Sequence, residues 1–173
     1  MRIIESKYKD RRSSLGNMMY ALLCKTGIFL EHHRWLYWLL NLTWGILMTS
    51  CGCIISLAML CIGKKPQRWS SVWHFRIGKS WGGMSVGTMF LRDESSYDSV
   101  NSHELGHSFQ NAVLGPFFIF IVAIPSAVRY WQQEIRRKKG KSNKPYDLMW
   151  FEENATNVGK HVYSYDMAKE EKQ

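Results

Sequence analysis

The longest stretch without a charged side chain runs from Trp35 to Gly63. As one helix, its 29 residues would extend about 43 Å, which is more than the roughly 30 Å hydrocarbon core of a bilayer. Aromatic residues at its start and basic residues after its end match the anchors found at membrane interfaces. We therefore predict a transmembrane helix at 35–63, with a helix stop at Pro66.

The segment before this helix, residues 1–34, combines a basic arm with a short apolar stretch. The arm at 1–17 is predicted to lie near anionic lipid headgroups, although a solvated tail has the same composition. Met18–Leu30 has 13 residues and contains Lys25, so it is too short for an ordinary span. We expect an interfacial or buried helix there.

Residues 64–163 are predicted to form the main folded region, and a polar tail follows at 164–173. Alternating apolar residues and then a glycine-rich sequence at 69–92 indicate two short strands joined at a turn. Tyr146–Tyr163 has the composition of a last helix. Together with the span, these elements predict a mainly α membrane protein that contains one short β-hairpin.

In the middle of this region, two apolar stretches separated by an interruption predict two helices that meet at a sharp bend. An apolar helix begins at Asp98 or Ser99, either of which can act as its N-cap. Its interruption at 114–116 contains Pro116, which lacks an amide hydrogen and has a fixed φ. The apolar stretch beyond it, Phe117–Val128, is too short for an ordinary span. We therefore expect a kinked or re-entrant helix pair that carries a zincin-like site.

The composition fits one domain at a membrane better than a nucleic-acid-binding protein. The chain has 173 residues and a net charge of +9, accompanied by eight each of Trp, Tyr and Phe. Such a chain suits either nucleic acid or an anionic membrane surface. The basic run Arg136–Lys144 lacks interleaved aromatic residues, so nucleic acid is the poorer match. Three of the four cysteines lie in the predicted span, which argues against disulfides and against a cysteine metal site.

The most specific chemical motif in the chain is His103-Glu104-Leu105-Gly106-His107. Residues four apart on a helix lie one turn apart on the same face, so the two imidazoles can converge on one zinc ion. Glu104 is placed to take a proton from a water activated by the metal and to return it to the leaving amine. The motif therefore predicts both zinc binding and a catalytic base.

Catalytic zinc normally has three protein ligands, so a third ligand must come from elsewhere. Glu152 is the best candidate because it begins an E-x-x-A pattern that ends at Ala155, where a small residue lets a second helix approach the first. Glu153, one position along, is an alternative. Weaker candidates are His74, Asp98 and His161.

The H-E-x-x-H string with a later E-x-x-A resembles the gluzincin metallopeptidases, especially membrane-embedded ones related to the prenyl-protein and stress-response endopeptidases. Trp81-Gly82-Gly83, the H-E-x-G-H-x-x-Q string ending at Gln110, and Leu114-Gly115-Pro116 further resemble small bacterial membrane proteins classed as zinc peptidases. The resemblance covers about residues 81–159. It implies zinc held by His103, His107 and Glu152, with Glu104 as general base.

The resemblance also implies how a peptide would bind. In gluzincins an edge strand beside the active-site helix pairs with extended substrate, and Met84–Leu91 is placed to do this. An ordinary packed hairpin is the alternative. The residues predicted to contact substrate are Met84, Ser85, Val86 and Gly87.

The chain departs from the family pattern at two points. Thr156 stands where an aspartate often follows E-x-x-A, and the LDG-type aspartate of site-2 proteases is missing, so a site-2 mechanism is disfavoured. The sequence also marks no dedicated donor for an oxyanion. The candidates for that role are Tyr146, His161 and Tyr163.

These observations predict a membrane-bound zinc-dependent peptidase whose partners are the lipid bilayer and a peptide or membrane-protein substrate. The alternative is a non-catalytic membrane protein with a structural zinc site or an inactive peptidase scaffold. A zinc position open to water would favour the enzyme, and a closed site with four protein ligands would favour the alternative.

The expected location is the bacterial cytoplasmic membrane. A complete crossing by Leu105–Val128 would separate the histidines from Glu152, so a zinc site near the membrane surface is favoured. The basic run at 129–144 favours the cytoplasmic side. A second crossing by Met18–Leu30 would bring the basic N-terminal arm to that side as well.

Overall fold

A computed structural model of the chain describes residues 4–95 and 97–170. Residues 1–3 of the predicted basic arm and 171–173 of the predicted polar tail lie outside the described residues. The described part is mainly helical with a small mixed sheet. Its α-helices are α1 Ser14–His32, α2 Arg34–Leu42, α3 Ile46–Cys61, α4 Asp98–Leu114, α5 Ile124–Lys138 and α6 Trp150–Glu170. Its strands are β1 Gln67–Trp69, β2 Val72–Arg76, β3 Gly83–Val86 and β4 Met89–Arg92.

Helix α4 lies at the centre of the fold. Eleven of its 17 residues are buried, and these include polar ones, so the helix is enclosed by protein on most of its surface. It packs against α6, α1 and α2 and against strands β3 and β4. Leu105 and Phe109 anchor it in the main hydrophobic core. The two histidines of the metal motif are therefore carried by an enclosed helix.

Helices α4 and α6 approach to backbone contact where both carry small residues. Gly106 of α4 lies against the backbone of Ala155, and Gly159 of α6 lies against the backbone carbonyl of Ser102. A Cβ atom at either glycine would overlap main-chain atoms, which cannot move aside as a flexible side chain can. The alanine of the E-x-x-A pattern thus meets the glycine of the histidine motif, and the predicted close approach of the two helices is confirmed.

Gly159→Ala is expected to destabilise the fold by about 3 kcal/mol, because the added methyl group forces α4 and α6 apart. Gly16→Ala in α1 is the matched control, since the atoms nearest to its Cβ would be side-chain atoms of Ser13 and Trp150, at 3.3 and 3.4 Å. Urea unfolding, followed by circular dichroism, compares the two variants. Equal free energies of unfolding would contradict the tight packing of α4 on α6.

The predicted single helix at 35–63 is wrong. The segment forms α2 and α3, which meet at an angle of 85°. Asn111 of α4 explains the break, because its amide donates to Asn41 Oδ1 at 2.7 Å and to the carbonyl of Gly45 at 3.3 Å. These bonds hold both sides of the break against the core. They cannot be predicted from the uncharged sequence of the segment.

No single helix within residues 4–95 and 97–170 is both long and apolar enough to cross a membrane. Helix α1, which contains the predicted interfacial stretch, is among those that do not qualify. Two bent helix pairs meet the length and hydropathy requirement when their members are taken together. They are Arg34–Leu42 with Ile46–Cys61, and Asp98–Phe117 with Ile119–Lys138.

The predicted bend after α4 is confirmed. Helix α4 ends at Leu114, and the helical segments Asp98–Phe117 and Ile119–Lys138 make an angle of 116°. Gly115 has a φ of 56°, a left-handed conformation that favours glycine, and Trp44 packs directly against it. The chain then passes through a π-helical turn at Ile119–Ala123 before it enters α5.

Two predicted helix starts differ from the structure. Tyr97 is the N-cap of α4 and makes no side-chain capping bond, so the expected cap at Asp98 or Ser99 is wrong. Asp98 instead lies in the first turn, where its negative charge is favourable near the helix N-terminus. The last helix begins after a separate 3₁₀ turn at Tyr146–Leu148, because the chain is extended at the following residue, Met149.

The predicted hairpin at 69–92 is replaced by a four-stranded sheet in the order β1-β2-β4-β3. β1 and β2 form an antiparallel pair around a tight turn in which Ser70 has a φ of 54°. β3 and β4 form a second antiparallel pair, and β2 pairs with β4 in parallel. Parallel pairing joins residues that are distant in sequence, so it leaves no local signal. The order places β3 at one edge of the sheet.

Candidate metal centre

His103, His107 and Glu152 meet where α4 crosses α6. His103 Nε2 lies 3.1 Å from His107 Nε2 and 3.1 Å from Glu152 Oε2, and His107 Nε2 lies 3.3 Å from the same oxygen. The two histidines share a face of α4 because they are four residues apart, and this face is turned toward the first turn of α6. Three potential ligand atoms thus form a nearly equilateral triangle.

The triangle has the size that a tetrahedral ion requires. Bonds of about 2.0–2.1 Å from zinc to nitrogen and oxygen would place the ligand atoms roughly 3.3–3.4 Å apart. Glu152 is fully buried, and within the described residues neither carboxylate oxygen makes a hydrogen bond of acceptable geometry. A buried carboxylate is unfavourable unless positive charge accompanies it, and the imidazole nitrogens 3.1 and 3.3 Å away provide that charge when they are protonated or share a metal ion. The residues therefore fit a divalent cation held by two imidazoles and one carboxylate.

The orientation of the His107 ring is fixed by a chain of buried amides. His107 Nδ1 lies 2.8 Å from Gln110 Oε1. The amide nitrogen of Gln110 donates to the carbonyl of Phe151 at 2.7 Å and to Asn154 Oδ1 at 2.8 Å, so the Gln110 oxygen must face the ring. Asn154 is oriented in turn, because its nitrogen donates to the carbonyl of Tyr20. His107 therefore donates from Nδ1 and presents the Nε2 lone pair to the centre.

The charges of the centre are coupled. Burial opposes ionisation of Glu152, but the neighbouring histidine rings outweigh burial and hold the pKa of this carboxyl well below its usual range. Burial also opposes the charged form of His107, yet the Glu152 carboxylate outweighs it and raises the pKa of His107 to about 9. The centre therefore attracts positive charge, either as a proton or as a metal ion.

Glu104 lies beside the triangle, where α4 faces β3. The carboxylate is buried and accepts a hydrogen bond from the backbone amide of Ser85. Gly83 leaves room for it, since a Cβ atom there would lie 2.6 Å from Glu104 Oε1. Burial raises the pKa of Glu104, and the two nearby histidines oppose that rise. A glutamate with a raised pKa can exchange a proton closer to neutral pH than an exposed one.

A cleft of about 820 Å³ opens beside the centre. One wall is the edge strand β3, and the other is formed by side chains between Phe118 and Trp131. Both histidines and Glu104 line the cleft. Tyr146 also lines it, and its hydroxyl lies 2.9 Å from Ser126 Oγ. Burial and the negative charge of the nearby Glu152 raise the pKa of Tyr146 well above its usual value.

Three of the four residues predicted to contact substrate line this cleft. They are Met84, Ser85 and Val86, all in β3. The structure does not bring Gly87 to the cleft. It lies in the turn between β3 and β4 with a φ of 66°, where a Cβ atom would be 2.5 Å from Thr49 Cα of α3. The turn packs on α3, and the absence of a side chain at Gly87 allows this close contact.

Glu153, the alternative third ligand, faces the N-terminal segment and not the histidines. It accepts hydrogen bonds from Ser6 Oγ at 2.7 Å and from the backbone amide of Lys7 at 2.6 Å. It also forms an ion pair with Arg12, in which both side chains are almost fully buried. Part of the predicted basic arm is thus attached to α6.

The weaker ligand candidates also lie elsewhere. His74 stacks on Phe90 in the sheet, with ring centroids 4.8 Å apart. His161 lies 3.2 Å from a carboxylate oxygen of Glu31. In the part of the chain that the structure describes, neither of these histidines nor Asp98 joins the metal centre. Among the oxyanion candidates, Tyr146 lines the cleft, whereas Tyr163 stacks on an indole ring of β1.

Thr156 is a departure from the family pattern in the sequence, but the sequence does not predict that Thr156 and Asp147 are neighbours of the centre. Thr156 Oγ1 lies 2.8 Å from His103 Nδ1 and 3.2 Å from Asp147 Oδ1. Thr156 could have been found from its position, one helical turn after Glu152 on the same face of α6. Asp147 belongs to a short turn before α6 and has no spacing pattern that points to it.

Comparisons with known proteins do not assign the chain to a class. No protein-family model, no curated protein and no solved structure matches it. The proposed function therefore depends on the geometry and chemistry of the centre.

Proposed function

We propose that the chain is a membrane-bound zinc-dependent peptidase of the gluzincin type. The observation that carries this proposal is the triangle of His103, His107 and Glu152, with Glu104 beside it at the base of an open cleft. Two imidazoles and a carboxylate suit zinc, and three protein ligands leave one position for water or substrate.

Each residue near the centre has a role in this proposal. Bound zinc would supply an acidified water and polarise the peptide carbonyl. Glu104 accepts a proton from the attacking water and gives it to the leaving amine, and its buried position suits both transfers. Tyr146 is the candidate donor to the developing oxyanion, because it lines the cleft and its hydroxyl can donate one hydrogen bond.

Substrate is proposed to bind as an extended peptide along β3. Among the described strands, β3 pairs with β4 alone, so its other edge can accept a further strand wherever its backbone groups are not already used, as the Ser85 amide is by Glu104. Met84, Ser85 and Val86 place this edge in the cleft. The opposite wall contains Phe118 and Val122, which favour apolar side chains in the substrate.

The alternative is a non-catalytic membrane protein with a structural zinc site. Structural zinc is almost always bound by four protein ligands, whereas the described residues bring three to this centre. The buried Glu104 would also have no role in a structural site. These two observations favour the peptidase.

Digestion of a peptide library tests the proposed activity. The purified, zinc-loaded chain should cleave extended peptides that contain apolar residues, with products identified by mass spectrometry. A zinc chelator should abolish cleavage, and added zinc should restore it. Zinc-loaded protein that cleaves neither these peptides nor membrane-protein substrates would favour the structural site.

Membrane attachment is proposed because large apolar surfaces are left uncovered by the described elements. Of the 16 residues in α3, Thr49 and Gly52 are buried, and α5 has no buried residue. Helices that leave so many large apolar side chains exposed are uncommon on proteins in water. The exposed side chains include Ile46, Leu47, Ile54, Leu57, Leu60, Phe117, Phe120, Ile124, Val128 and Trp131. We propose that the α2–α3 pair enters the bilayer as a bent unit, in place of the predicted straight helix.

Flotation with liposomes of phosphatidylethanolamine and phosphatidylglycerol tests this attachment. Wild-type protein is expected to float with the lipid, and the double substitution Ile54→Lys and Leu57→Lys should greatly reduce the floating fraction, because two charges enter the apolar surface. Trp73→Lys is the control, since Trp73 is an exposed apolar residue of the sheet. Equal flotation of all three proteins would exclude α3 as the attachment site.

A further inference from the structure

The hydrogen bonds behind the two histidines differ in chemistry. Gln110, a neutral amide, is the partner of His107 Nδ1. The partner of His103 Nδ1 is the hydroxyl of Thr156 at 2.8 Å, and this hydroxyl lies 3.2 Å from Asp147 Oδ1. His103 is therefore connected to a carboxylate through one intervening hydroxyl.

Proton counting fixes the direction of these bonds. A hydroxyl has one proton, and an ionised carboxylate can only accept. Thr156 must therefore donate to Asp147, which leaves its oxygen to accept a hydrogen bond from His103 Nδ1. In this tautomer the Nε2 atom of His103 carries a lone pair and faces Glu152 at 3.1 Å. The chain of bonds thus presents the nitrogen to a cation.

The position of Thr156 in α6 has no other evident explanation. Threonine is a weak helix former, and inside a helix its hydroxyl commonly bonds a carbonyl of the preceding turn. Here the hydroxyl bonds across to α4 and to the turn before α6. Glu152 and Thr156 are four residues apart, so one face of α6 supplies both the carboxylate ligand and the hydroxyl behind His103.

We propose that Asp147, acting through Thr156, is a positioning carboxylate that orients His103 and strengthens it as a metal ligand. This inference rests on the proposed metal centre. Carboxylates behind ligating histidines fix the ring and raise its basicity, and removing such a partner typically lowers metal affinity about 10- to 100-fold. The hydroxyl transmits this effect because it is polarised by the carboxylate to which it donates.

Zinc affinity, measured by competition with a chromophoric chelator, tests the proposal. Thr156→Val removes the hydroxyl at nearly constant shape and should weaken zinc binding about 10- to 100-fold. Thr156→Ser should bind zinc nearly as well as wild type. Thr26→Val in α1 is the matched control, since that hydroxyl bonds backbone carbonyls of its own helix. Circular dichroism with excess chelator checks that each variant folds.

A rescue experiment separates positioning from a general structural role. Asp147→Ala should weaken zinc binding by a similar factor, because Thr156 loses its acceptor. Adding Thr156→Asp to Asp147→Ala places a carboxylate on α6 directly behind His103, and affinity should recover at least in part. Loss of a merely structural contact would not be repaired by this second substitution.

The outcomes distinguish this inference from the proposed function. Wild type that binds no zinc would overturn both. Tight binding by wild type, Thr156→Val and Asp147→Ala alike would leave the metal centre standing and overturn the role of Asp147. Nitrogen-15 NMR of the imidazoles in wild-type protein gives a check that needs no variant, because His103 should carry its proton on Nδ1. A proton on Nε2 alone would also overturn the proposal.

Discussion

Glu104→Gln is expected to retain zinc and the fold but to lower the rate of peptide hydrolysis about 100- to 10,000-fold. The amide has nearly the same shape as the carboxylate and still fits against Gly83, but it cannot accept a proton from the attacking water. Glu104 is not part of the triangle of ligand atoms, so zinc content should not change. Zinc content and peptide cleavage, measured on the same preparation, check both halves of the prediction.

Glu134→Gln is the matched control for this experiment. Glu134 is a glutamate at the surface of α5, where it pairs with Arg137, and it lies outside the cleft. Its substitution should leave both zinc content and cleavage unchanged. A Glu104→Gln protein that lost zinc would make Glu104 a ligand or a determinant of the fold. Unchanged cleavage would exclude it as the general base.

Glu152→Gln and Glu153→Gln are expected to have opposite consequences. Glu152→Gln replaces a ligand, so zinc affinity should fall by more than about 100-fold, beyond the usual effect of losing an outer hydrogen-bond partner. The metal-free fold should persist with some loss of stability, because the amide occupies the same place beside the two imidazoles but no longer supplies their negatively charged partner. Chelator competition and urea unfolding of the metal-free proteins measure the two effects.

Glu153→Gln should instead lower the free energy of unfolding by about 3 kcal/mol, because Arg12 would remain buried without its partner. Its zinc affinity should stay close to that of wild type wherever the protein is folded. The reverse ranking of the two variants for zinc would assign the third ligand to Glu153. Equal zinc affinity in both would exclude both glutamates as ligands.

The sequence predicts that the two histidines lie side by side, because this depends only on their spacing along one helix. Four-residue spacing on a helix places His103 and His107 together wherever the helix is found. The third candidate ligand is harder to predict, since consecutive residues on a helix point about 100° apart and the docking of α6 decides which one faces α4. That docking is set by contacts of Gly106 and Gly159 with the facing backbone. The E-x-x-A pattern carries part of this information, and it favours Glu152.

The elements that sequence analysis misses depend on contacts between distant segments. The break between α2 and α3 follows from hydrogen bonds of Asn111 to Asn41 and Gly45, although the surrounding sequence is uncharged throughout. The parallel pairing of β2 with β4 joins strands separated by another strand in the chain. Asp147 likewise reaches His103 through Thr156, a relation that no spacing rule contains. By contrast, the bend at Gly115 has a local cause and is predicted correctly.

Zinc content of protein purified without chelator tests the metal centre most directly. Elemental analysis should find close to one zinc per chain in wild type and almost none in His103→Ala, because that substitution removes one corner of the triangle. His33→Ala is the control, since His33 is a histidine of the α1–α2 junction that bonds a backbone carbonyl, and it should retain zinc. Wild-type protein that contains no zinc and takes up none when zinc is added would contradict the proposed centre.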